Sequence, residues 1–307
     1  MRWASLPYFA LLALWPLTLP AAEVAVIDLS DYPPVRVEVD HVGHMNHDII
    51  TESSGLTASR QHKDVLWTLN DSGNSAKIFP LRLDGRLVKS AESAGITLEG
   101  AENFDWESMT SDDQGVLYIA DSGQNFDFAR TPIIYAVDEP DTLIGVNSVP
   151  VLRTIPYRYE DQSGFFMPRV EFDVEAIFYA DQHLYLLTKG WGKGVSNKGI
   201  SKWYRLDEQR SGLDGTARLQ ARIDFGGALV TGAEVDPSGL RLAVLAKRSV
   251  WLFEREAQGQ DWWKGSIRHL RTRDIGVAEG ICFYGDRLYI STEEGELYAI
   301  RLENLEE

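Results

Sequence analysis

Five glutamates, each leading into small or apolar residues, recur along the chain: Glu52-Ser53-Ser54-Gly55-Leu56, Glu107-Ser108-Met109, Glu175-Ala176-Ile177, Glu234-Val235 and Glu279-Gly280-Ile281. They return at intervals of roughly 45 to 68 residues, the kind of period that marks stacked structural repeats. Several carboxylates brought to one point would suit a hard cation, since Ca²⁺ takes about six to eight oxygen ligands. Glu52, Glu107, Glu175, Glu234 and Glu279 are therefore the candidate metal ligands, with Ca²⁺ expected and Mg²⁺ or Mn²⁺ as substitutes. The competing expectation is structural: each glutamate latches backbone amides of the neighbouring repeat.

After each glutamate comes a turn rich in Asp, Gly or His and then a short β-run, such as Leu117-Tyr118-Ile119-Ala120 or Leu288-Tyr289-Ile290-Ser291. These second runs end on Asn70 and Asp71, Asp121, Lys189, Lys247 and Glu293. In a four-stranded repeat the second strand returns beside the first, so its end emerges where the first begins. One face would then gather acids near an axis, with two lysines beside them. Asp105 and Asp173 lie two residues before Glu107 and Glu175, a spacing that puts both carboxylates on one side of a strand. Such a pair can split into acid and base, although solvation by salt bridges is the competing fate. Lys189, Asp121 and Asp105 are accordingly the candidate catalytic groups. No Gly-x-Ser-x-Gly elbow is present, and the histidines, including His41, His44 and His47, show no partnered spacing with a serine. A hydrolase built this way would use metal-activated water.

The elements that must position these groups are short β-branched and aromatic runs between turns, with little helical periodicity. A third run usually follows the second, as in Ile134-Tyr135-Ala136-Val137 and Val250-Trp251-Leu252-Phe253. The expected architecture is all-β, a single β-propeller of five blades, with six as the alternative. Val35-Arg36-Val37-Glu38-Val39 is expected to supply the fourth strand of the last repeat and close the ring, which removes an open sheet edge.

Lys plus Arg number 30 and Asp plus Glu 46 in 307 residues, a net charge of −16. That balance argues against nucleic acid, because phosphate binding depends on cationic side chains. The start of the chain, with Arg2, an apolar stretch from Tyr8 to Leu19 and then Pro20-Ala21-Ala22, has the pattern of a secretory signal. Residues 1–22 are read as signal peptide and 23–307 as the propeller, exported to the periplasm or beyond, not integral to a membrane and monomeric. An uncleaved N-terminal anchor is the alternative. The single cysteine, Cys282, lies in an apolar run and is expected to be packed.

In order, Glu-x-Ser-Gly-Leu, Asn-Asp-Ser-Gly-Asn, Asp-Trp-Glu-Ser-Met, Leu-Tyr-Ile-Ala-Asp-Ser-Gly-Gln-Asn, Phe-Asp-Val-Glu-Ala-Ile, Leu-Leu-Thr-Lys and Thr-Gly-Ala-Glu run from about Glu52 onward. This order resembles the SdiA-regulated propeller family and, more loosely, NHL-repeat and phytase-like (esterase-like) propellers. The first resemblance implies five blades and a calcium site; the phytase-like one implies calcium-dependent phosphoester hydrolysis with Lys189 and Lys247 as phosphate clamps. Two functions stand open. One is a calcium-stabilised propeller that binds a small molecule, glycan or protein on its acidic face; the other is a metal-dependent hydrolase of phosphoesters, lactones or related esters.

Overall fold

The computed structural model describes residues 24–88, 95–123, 130–141, 145–162, 170–190, 199–207 and 214–305. The expected signal peptide, Gln124 and Asn125 of the second acidic turn, and most of the glycine-rich stretch between Gly190 and Gly199 lie outside the described residues. The described residues form no α-helix, and none of their helical segments is long and apolar enough to cross a membrane.

Three short strands come first: β1 (Ala25–Asp28), β2 (Pro34–Arg36) and β3 (Asp40–His44). Then follow β4 (Ser53–Ala58), β5 (Val65–Asn70), β6 (Lys77–Arg82) and β7 (Ile96–Glu99), paired in that order. A second set, β8 (Trp106–Ser111), β9 (Val116–Asp121), β10 (Ile133–Asp138) and β12 (Arg153–Tyr159), pairs likewise, while β11 (Ser148–Pro150) turns back to add in parallel to β7. Next are β13 (Val174–Ala180) to β14 (His183–Thr188), β15 (Ile200–Asp207) and β16 (Gly215–Asp224), whose last strand pairs in parallel with β12. The fourth set is β17 (Val230–Val235), β18 (Arg241–Ala246), β19 (Ser249–Glu254) and β20 (Ser266–Arg271). The last is β21 (Ala278–Tyr284), β22 (Arg287–Thr292) and β23 (Glu296–Arg301), completed by β3. The first strands touch in sequence, β4 on β8, β8 on β13, β13 on β17, β17 on β21 and β21 on β4. This is a β-propeller arrangement of repeated meanders.

Period-2 alternation explains the packing, because successive side chains of a strand face opposite sides of its sheet. On β14, Leu186 enters one apolar cluster and Leu187 the next; on β18, Val244 and Leu245 divide the same way. Each of the five clusters draws on two consecutive strand sets, so neighbouring sheets share one buried layer. Trp203 and Trp251 are buried in the layer between the third and fourth sets, with Trp203 edge-on to Phe178 at 5.4 Å and to Phe253 at 5.9 Å. Cys282 is fully buried among apolar side chains, and burial pushes its thiol well up.

The N-terminal segment differs from the expectation. Val35–Val39 does not form the last fourth strand: Pro34–Arg36 instead adds in parallel to the outer edge of β20, and Asp40–His44 pairs with β23. The more apolar run is therefore spent on an outer edge, while β1 covers the edge of β16. Covering these edges satisfies backbone groups that would otherwise template association.

At Gly55, Gly232 and Gly280 the first strands approach so closely that glycine is required. A Cβ on Gly280 would lie 2.3 Å from Ser291 Oγ and 2.7 Å from Leu56 Cβ, where β21 meets β4. Gly280→Ala is expected to destabilise the fold by about 1–3 kcal/mol, an overpacking cost, seen as a lower urea midpoint with unchanged slope. A neutral effect would contradict this close contact.

Candidate functional site

Every first strand carries a β-bulge at its start, marked by register shifts between Ser53 and Gly55, Trp106 and Ser108, Val174 and Ala176, Val230 and Gly232, and Ala278 and Gly280. The extra residues are Ser54, Glu107, Glu175, Thr231 and Glu279. A bulge re-aims a side chain that regular pleating would send elsewhere. Three of the predicted glutamates, Glu107, Glu175 and Glu279, hold this equivalent position and are buried. Glu52 and Glu234 do not. Glu52 precedes β4 and is exposed; its backbone oxygen accepts from Asp71 N at 3.0 Å, as Asp173 O accepts from Lys189 N at 2.8 Å and Asp105 O from Ser122 N at 3.2 Å. Glu52 is thus the counterpart of Asp105 and Asp173. Glu234 lies deeper along the first strands, where Thr57 and Thr110 donate to it at 3.3 Å and 3.0 Å and Arg60 approaches to 3.9 Å. The five-glutamate register aligns residue type, whereas the bulge is set by backbone and tolerates Ser54 and Thr231. Thr231 uses its hydroxyl to latch the next repeat, donating to Ala278 O at 2.7 Å.

At the mouth formed by these bulges, Asp71, Asp105 and Glu107 each present an oxygen within 4.8 Å of the others. Glu175 accepts from Lys189 Nζ at 2.8 Å. Burial pushes the Glu107 carboxyl well up, reinforced by Glu175, Asp71, Asp105 and Asp173. Burial likewise raises Glu175, further raised by Asp173 and opposed by Lys189, and raises Glu279 to about 8. The half-buried rim acids Asp71 and Glu293 are raised by burial and by neighbouring carboxylates. Lys189 is held charged: burial works against its ammonium, but Glu175, Asp173 and Glu107 outweigh it. Among the described residues, the Lys189 ammonium faces several acids at once, an arrangement that favours protonated carboxyls or a further cation.

Asp121, fully buried, holds the mouth from behind. Its Oδ1 accepts from Asp105 N at 2.9 Å and from Arg130 Nη2 at 2.6 Å. It positions the Asp105 backbone and is turned away from the oxygen cluster. The following turn brings Gly123 against the cluster, where a Cβ would lie 2.4 Å from Glu107 Oε1 and 2.5 Å from Asp105 Oδ2. Lys247, the second predicted lysine, is exposed. Asp71 and Glu293 were legible as strand-end acids; the convergence of Asp71 with Asp105 and Glu107 was not, because it depends on bulge register. At the opposite ends of the first strands, Arg60, Ser111, Asp181, Asp236 and Arg255 line a separate cleft of about 240 Å³.

Among the described residues the donor set at the mouth is hard carboxylate oxygen without histidine or thiolate, which fits Ca²⁺ better than zinc. Asp71, Asp105 and Glu107 would hold the ion, with water reaching it on the half-buried Asp71 side.

No family model matches the chain, and no curated protein matches it. Solved structures similar in fold include the PQQ-bound aldose sugar dehydrogenase of Streptomyces coelicolor, 12% identical over 88% of this chain and 99% of that one, TM-score 0.48. A protein assigned as a gluconolactonase is 12% identical over 88% of this chain and 94% of that one, TM-score 0.47. The nidogen/laminin complex includes a chain 14% identical over 79% of this chain and 73% of that one, TM-score 0.42.

The acid clusters set a pH dependence in metal-free protein. Glu279 and Glu234 ionise near 8 when folded against 4.5 ordinarily. The folded state then binds more protons than the unfolded state between those values, so stability is retained below about pH 4.5 and falls as pH rises toward 8. Melts in EDTA are expected to show a declining midpoint from pH 5 to pH 8; a midpoint rising steadily across that window would contradict the assignment.

Proposed function

We propose that this protein is a five-bladed propeller, acting outside the cytoplasm, that holds a divalent cation, Ca²⁺ foremost, at the acidic mouth of its channel and presents it to a ligand. The observation that carries the reading is the convergence of Asp71, Asp105 and Glu107 oxygens within 4.8 Å, with burial pushing the Glu107 carboxyl well up. The five successive first-strand contacts support the blade number. Because Asp71 and Glu293 are only partly buried, the ligand is a small molecule, glycan or protein group able to offer oxygen donors to the ion. The ion also stabilises the fold by neutralising like charges.

Mature protein melted in EDTA, and again with Ca²⁺, Mg²⁺ or Mn²⁺, tests this. At a hundredfold excess over Kd, binding to the native state contributes about 2.7 kcal/mol, a rise of about 4–5 °C for a domain of this size. Glu107→Gln is expected to keep or raise the metal-free midpoint at pH 8 and to lose the Ca²⁺-induced rise. An unchanged midpoint with all three ions would remove the metal from the account and leave the glutamates as protonated latches.

A second reading, metal-dependent ester or phosphoester hydrolysis, is favoured by the Asp105–Glu107 pair, two carboxyls brought together at the mouth with Glu107 pushed well up by burial and by Asp105 among its neighbours. Lys189 would steady charge through Glu175. Under this reading Glu175→Gln abolishes turnover of a generic ester or phosphoester panel while the Ca²⁺-bound midpoint is retained; wild-type protein inert on the whole panel would leave the binding reading alone.

A further inference from the structure

Two histidines and a carboxylate meet on the outer part of the last sheet. His41 and His44 come from β3 and Glu296 from β23, and one ligand atom from each lies within 4.8 Å of the others. His41 Nε2 contacts Glu296 Oε2 directly, and the imidazoles of His41 and His44 sit 6.4 Å apart, centroid to centroid.

Residues three apart on a regular strand face opposite sides of a sheet. Here the register between β3 and β23 shifts: His44 lies opposite Glu296, Gly43 opposite Leu297, and His41 opposite Tyr298. Val42 is the inserted residue. Glu296 and Tyr298 share one face, so the bulge brings His41 and His44 onto that face together. The strand is held there by backbone packing: a Cβ on Gly43 would lie 2.0 Å from Asp84 O, and one on Gly85 would lie 2.8 Å from the His44 carbonyl carbon. Tyr298 packs edge-on against His41 at 5.2 Å, walling one side of the imidazole. Both histidines are exposed and Glu296 is half-buried, so the set is open to solvent and its side chains can close by the short distance a metal requires.

We propose that His41, His44 and Glu296 form a second metal site, selective for a borderline first-row dication of the Zn²⁺ type and distinct from the oxygen-only channel mouth. Two imidazoles and a carboxylate are the donors such ions prefer, with bond lengths of about 2.0–2.2 Å and a fourth position left to water. The ligands come from strands 255 residues apart in sequence. Metal binding there clips the N-terminal strand to the last sheet and closes a very long loop, the situation in which a crosslink restrains the unfolded chain most.

The test is calorimetric titration of Zn²⁺ into the mature wild-type protein and three variants, with thermal melts alongside. Wild type is expected to bind Zn²⁺ and to melt at higher temperature with it. His44→Ala and Glu296→Gln are each expected to weaken binding at least about tenfold, because even outer-shell changes at metal sites cost 10–100-fold. Both sit at the surface and leave the metal-free midpoint close to wild type. Glu107→Gln, at the channel mouth, is expected to leave Zn²⁺ affinity unchanged. Absence of Zn²⁺ binding by wild type overturns the proposal, as does binding that survives His44→Ala and Glu296→Gln but is lost in Glu107→Gln.

Discussion

Carboxylates forced together at the narrow mouth of the channel are the constraint on which this molecule depends. Glu107, Glu175 and Glu279 are buried, and Asp105 and Asp173 stand beside them. Burial alone raises a carboxyl, and each like neighbour raises it further. Lys189 offsets part of this through Glu175. The remaining acids are relieved by holding their protons more tightly, and Glu279 is pushed up to about 8. An ion bound there would compete with protons for the same oxygens.

The scaffold makes that crowding attainable through its backbone. Bulges at the starts of the first strands turn Glu107, Glu175 and Glu279 toward the mouth. Gly55, Gly232 and Gly280 let adjacent first strands approach, since a Cβ on each would meet Met109 N, Glu279 O and Leu56 Cβ at 2.9, 2.8 and 2.7 Å. Asp121 and Arg130 fix the Asp105 backbone, and Gly123 leaves room for two carboxylates. Buried apolar layers between sheets supply the stability against which this charge strain is held.

Much of the strand content was legible because alternating apolar runs such as Leu184–Leu187 and Leu242–Leu245 divide between two packed layers. The acidic mouth was legible in kind, from glutamates at first-strand starts and Asp71, Lys189 and Glu293 at second-strand ends. Its register was not. Aligning on glutamate matched Glu52 and Glu234 with Glu107, although their backbone counterparts are Asp105 and, for Glu234, Thr57 and Thr110. A bulge adds one residue without any signature in side-chain type, so pattern matching slips there. Strand β3 was missed for a similar reason: Asp-His-Val-Gly-His is polar and half exposed, while the more apolar Val35–Val39 drew the assignment. The meeting of His41 and His44 with Glu296 spans nearly the whole chain and has no local signal.

Calorimetric titration of Ca²⁺ at pH 7 in two buffers of different protonation enthalpy tests the central claim most directly. If buried, protonated carboxyls give up their protons to a shared ion, Ca²⁺ binds with net proton release, and the apparent enthalpies differ between the buffers accordingly. Binding without proton release, or no binding heat in either buffer, would contradict an acidic mouth poised between protons and a metal.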